Sequence, residues 1–112
     1  MGSGAQLTVT DMRRAARHPI DHKVIGEHRR LGDVHMHIVN VSAHGFMVEG
    51  DLDLSRGERV TIRLPEVGRI EAHLIWVNEG RAGFQFERII RLEDFVRMIE
   101  ALQPNPRLRR SR

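Results

Sequence analysis

Apolar and polar positions alternate along most of the chain. Val60, Ile62 and Leu64 alternate with Thr61 and Arg63. Ile70, Ala72, Leu74 and Trp76 alternate with Glu71, His73 and Ile75. Ala82, Phe84 and Phe86 alternate with Gly83, Gln85 and Glu87. A period of two sends successive side chains to opposite faces of a strand. The β-branched runs Val34–Val41 and Phe46–Val48 add two more strands, and Lys23–His28 is a weaker sixth candidate.

Turn residues separate these runs. Ser42-Ala43-His44-Gly45 follows the second run, and the polar stretch Gly50–Gly57 follows the third. Pro65-Glu66-Val67-Gly68 and Asn78-Glu79-Gly80 close two hairpins. Short strands at this spacing predict an all-β barrel or sandwich. A small barrel also removes the exposed strand edges that a short chain has few means to cover.

The pattern changes near the C-terminus. Leu92, Phe95, Val96, Ile99 and Leu102 recur at helical spacing and form one apolar stripe. Glu93 and Asp94 fall in the first turn, where the helix dipole favours acids. Pro104 ends the helix. A single stripe needs an apolar surface, so the helix is expected to pack on the barrel. Residues 1–12 read as a flexible start and 104–112 as a disordered basic tail. Between them lies one domain over 13–103, with an arm at 13–19, a barrel at 20–90 and a helix at 91–103.

Composition narrows the chemistry. The 112 residues suit one domain, and cysteine is absent. Disulfides, thiolate metal sites and cysteine nucleophiles are thereby excluded. No apolar run is long enough to span a membrane, and no secretory signal is recognisable. A cytoplasmic location is the expectation. The net charge of +3 conceals an uneven distribution. Residues 1–17 carry +2, residues 107–112 carry +4 and the stretch between carries −3. The body is mildly acidic, so wrapping of DNA is not expected. An anionic partner is expected at the ends.

Two constellations remain. Arg13-Arg14-Ala15-Ala16-Arg17 precedes the first strand, and Asn40-Val41-Ser42-Ala43-His44-Gly45 closes the second and turns the chain. In order, they match RxxxR followed by [D/N]xSxxG. This chain resembles the PilZ domain family, receptors for the bacterial second messenger cyclic di-GMP. Arg13 and Arg17 occupy the first motif; Asn40, Ser42 and Gly45 occupy the second. The later strands, with Trp76 and Gly83-Phe84-Gln85-Phe86, extend the resemblance over about residues 13–90. It implies a six-stranded antiparallel barrel with a C-terminal α-helix packed on it. It also implies a cyclic di-GMP site formed by Arg13, Arg17, Asn40, Ser42 and Gly45; Arg14 and His44 lie beside these motif positions and are further candidates.

The chemistry of the ligand suits these residue types. Guanine presents O6 and N7 as acceptors, onto which a guanidinium forks. One such contact gives about 1–3 kcal/mol of discrimination between bases. Arginine also stacks on bases and pairs with phosphates. Arg14 either adds a third contact or faces solvent. Asn40 and Ser42, two apart on a strand, share a face and offer an amide and a hydroxyl. Gly45 suits a turn that needs positive φ or a close backbone approach. His44 either touches the ligand or faces solvent.

Other residues have plainer readings. His35 and His37 share a face that alternation also assigns to Val39 and Val41, the expected core side, and no carboxylate clearly completes a metal site there. No metal or cofactor is expected. Trp76 is expected in the core. His18 follows the arm, where stacking on the ligand is a minor alternative. No catalytic apparatus is recognisable around Ser42. The sequence therefore predicts a non-enzymatic receptor that signals by ordering its arm and acts on a downstream protein partner. The alternatives are a protein–protein adaptor without nucleotide and a small nucleic-acid-binding barrel that uses the tail.

Overall fold

The computed structural model describes residues 16–102. Among these residues lie six strands: β1 (His18–His28), β2 (Gly32–Val41), β3 (Gly45–Glu49), β4 (Arg59–Leu64), β5 (Gly68–Asn78) and β6 (Arg81–Phe86). One helix, α1 (Leu92–Leu102), follows them. The strands close an antiparallel barrel in the order β1-β2-β3-β6-β5-β4. Arg13, Arg14, the N-terminal start and the basic tail lie outside the described residues.

Alternation explains most of the core. Val60, Ile62 and Leu64 from β4, Ile70, Ala72 and Leu74 from β5, and Ala82, Phe84 and Phe86 from β6 are all buried. Phe46 of β3 stacks on Phe84, with ring centroids 4.9 Å apart. The β5–β6 hairpin turns through Glu79 and Gly80, both with positive φ. That is the twist-matched turn favoured in two-residue hairpins.

Two expectations about facing fail for one physical reason. In β2 the buried residues are Val34, Met36 and Ile38, so His35 and His37 face outward. His37 Nε2 lies 2.6 Å from Asp21 Oδ1 on the barrel exterior. Between Ile38 and Asn40 the β2–β3 register shifts, after which Val41 points inward. A bulge inserts one residue and reverses the parity of all that follow. Val41 is therefore a valid core residue, but the histidines extrapolated from it are not. A second shift between Leu74 and Trp76 in the β5–β6 pairing turns Trp76 out of the expected core. It is half-buried on the outer surface.

The helix stripe also differs from expectation. Phe95, Met98 and Ile99 are buried, whereas Val96 is 41% exposed. The buried face is thus centred slightly off the sequence stripe. Phe95 meets the His18 ring edge-on at 5.3 Å, tying α1 to the start of β1.

Barrel closure is thin at its seam. Glu27–Thr61 is the single paired position between β1 and β4. Side chains reinforce it. His28 Nε2 and Arg30 Nη2 lie 2.7 and 3.0 Å from Glu58 Oε1, and the Ser55 N–H donates to Glu58 Oε2 at 2.6 Å. The backbone of Glu58 is itself held, because Leu74 N–H donates to its carbonyl at 2.9 Å.

Candidate functional site

The end of β2 and the turn after it are locked from several sides. Ser42 N–H donates to the Gly45 carbonyl at 2.8 Å, closing the turn. His44 N–H donates to Ser42 Oγ at 3.1 Å. Phe86 N–H donates to the His44 carbonyl, and Ile90 N–H to the Ala43 carbonyl. Ala43 and Ile90 are fully buried. The turn is thus anchored to β6 and to the segment leading into α1.

Gly45 meets the close-approach requirement. Its φ is not among the positive ones, and a Cβ placed there would collide with the Phe84 carbonyl oxygen. That oxygen belongs to the paired strand backbone and has little freedom to yield. Gly45 therefore lets β3 approach β6 closely.

A cavity of about 220 Å³ lies over this turn. Arg17, Asn40, Ser42, His44, Gly45 and Trp76 all contribute to its lining. These positions come from the residue before β1, the end of β2 with the turn into β3, and the end of β5. Closure of the sheet brings them together. Ser42 is buried and Asn40 half-buried, whereas Arg17 and His44 are exposed.

Hydrogen bonding sets the polarity of Ser42. Its oxygen already accepts the His44 N–H, so its hydroxyl proton remains to donate. Asn40 Nδ2 makes only a long contact to Met47 Sδ, at 3.8 Å. With Arg17, the cavity wall is rich in donors. It suits phosphate oxygens and the O6 and N7 edge of guanine.

Trp76 is the site residue that alternation missed. Asn40, Met47, Gly83 and Trp76 form one cross-strand row on the outer face of β2, β3, β6 and β5. A Cβ on Gly83 would overlap the indole, so the ring lies against the bare glycine backbone. The local signal was Gly83 itself. Its meaning depends on the pairing with Trp76.

A family model of the PilZ domain matches residues 11–102. The chain belongs to the PilZ domain family. That family is one of cyclic di-GMP-binding domains. The closed six-stranded barrel with its C-terminal helix agrees with the architecture that the motifs implied. A search of curated proteins finds no match. No helix among the described residues is long and apolar enough to cross a membrane. Within this PilZ domain, Arg17, Asn40, Ser42 and Gly45 meet at one cavity. Arg13 and Arg14 fall outside the described residues.

Proposed function

We propose that this PilZ domain is a non-enzymatic receptor for cyclic di-GMP. The supporting observation is convergence: Arg17 and the distant stretch carrying Asn40, Ser42 and Gly45 line one donor-rich cavity. In this reading Asn40 and Ser42 hold the ligand from the barrel. Arg17, Arg13 and Arg14 cover it from the arm, and the Trp76 ring and His44 border it.

Binding fixes the arm over the cavity, at a cost of about 1–2 kcal/mol for each backbone residue held. The fixed arm presents a new surface to a downstream protein partner in the bacterial cytoplasm. DNA is not a partner in this reading, and no cofactor is required. Calorimetric titration with cyclic di-GMP tests it. Wild type binds, and Arg17→Ala binds at least tenfold more weakly. Equal binding by the two removes the arm from the mechanism, and no heat with wild type overturns the receptor reading.

A further inference from the structure

The cavity over Gly45 is smaller than an ordinary small-molecule pocket. Small-molecule pockets run to about 300–1,000 Å³, and this one is about 220 Å³. A second cleft of about 300 Å³ adjoins it, and Gln85 lines both. Together they fall within the ordinary range.

The register explains the continuity. Gly45 pairs with Gln85, Gln85 with His73 and His73 with Arg59. These four positions form one cross-strand row on the outer face of β3, β6, β5 and β4. The row begins at a residue with no side chain. Gln85, directly across from Gly45, is thus the residue at which the two clefts meet. Its amide makes no hydrogen bond to another described residue.

The two clefts differ in chemistry. The first offers donors: the Arg17 guanidinium, the Asn40 amide and the Ser42 hydroxyl. The second adds acceptors, beside the Arg59 guanidinium and the His73 ring that also line it. Glu87 lines it, and one Glu87 oxygen accepts the Glu71 N–H at 3.4 Å, leaving the other oxygen available. Glu71 is paired with Arg59 at 3.6 Å. Carboxylates repel a phosphate but accept N–H groups. Guanine carries such groups, N1–H and the N2 amine, on the edge opposite N7. Adenine lacks the N2 amine and presents N1 as an acceptor.

We infer that the ligand site continues past Gly45 into the second cleft, with Gln85 and Glu87 as specificity-determining residues for a guanine base. The phosphates lie toward Arg17 and Ser42, and one base lies across Gln85. The Gln85 amide accepts N1–H and donates to O6, while Glu87 accepts from the N2 amine. This extension rests on the cyclic dinucleotide reading above.

The test titrates the full chain with cyclic di-GMP and with cyclic di-AMP. Both residues are exposed, so their substitution leaves the core intact, which circular dichroism checks. Gln85→Ala is expected to weaken cyclic di-GMP about tenfold, the effect of one good base contact. Glu87→Gln is expected to narrow the preference for the guanine ligand over the adenine one. If both variants keep wild-type affinity and preference while Arg17→Ala loses binding, the footprint ends at Gly45. The extension then fails and the receptor reading stands. If wild type binds neither ligand, the reading and its extension fail together.

Discussion

The Trp76 indole lies on the bare backbone of Gly83, its cross-strand neighbour, and forms one edge of the candidate cavity. Neither residue explains the other's position alone. The ring occupies the space that a side chain on β6 would fill. It is also the only tryptophan in a chain without tyrosine, so its fluorescence reports on this one place.

Gly83→Ala is expected to push the indole away. Forcing an extra methyl into a packed contact costs about 1–3 kcal/mol. Urea unfolding followed by tryptophan emission measures both effects, as a lower midpoint and a shifted folded-state spectrum. An unchanged spectrum would mean that the ring does not rest on Gly83.

Ser42→Ala separates the hydroxyl's two roles. The His44 N–H loses its acceptor, which costs about 1 kcal/mol of stability. The ligand loses a donor, so cyclic di-GMP affinity falls as well. Thermal unfolding with and without ligand distinguishes the two. The expected result is a modest drop in the free protein and a smaller ligand-induced rise. A full ligand-induced rise would remove Ser42 from the site.

Glu58 makes the seam sensitive to acid. The Ser55 N–H, then Arg30, then His28 hold its carboxylate in the charged form, against the opposing effect of burial. Its pKa falls from 4.5 to about 2. A depressed carboxylate pKa contributes stability that is fully present above about pH 4.5. That contribution fades as the pH falls toward 2. Glu58→Gln has no carboxylate to titrate. Denaturation midpoints of wild type and variant are therefore expected to differ most near pH 6 and to converge near pH 2. A constant gap across this range would contradict the assignment.

The helix face yields a paired comparison. Met98 is fully buried and Val96 is 41% exposed. Met98→Ala is expected to cost about 2–5 kcal/mol, as for other buried aliphatic truncations. Val96→Ala is expected to fall within the about 0.5 kcal/mol typical of surface changes. Urea denaturation of the two variants measures this, and equal losses would place the stripe where the helical spacing of the sequence put it.

Local pattern and tertiary pairing divide the rest of the molecule cleanly. Strand identity, the barrel class, the helix and the motif residues Asn40, Ser42 and Gly45 were legible in the sequence. Alternation, turn chemistry and motif spacing are properties of neighbouring residues. The facing of His35, His37 and Trp76 was not legible in that way. Two bulges, at Ile38/Asn40 and Leu74/Trp76, reverse inside and outside partway along their strands. A bulge exists only relative to the partner strand, so alternation read along one strand passes over it. The same holds for the seam at Glu58 and for the row from Gly45 through Gln85 to Arg59. The sequence by itself determined which elements form and which residues carry the family motifs. Only the closed sheet decided which of them face one another, because cross-strand register is set by the whole barrel.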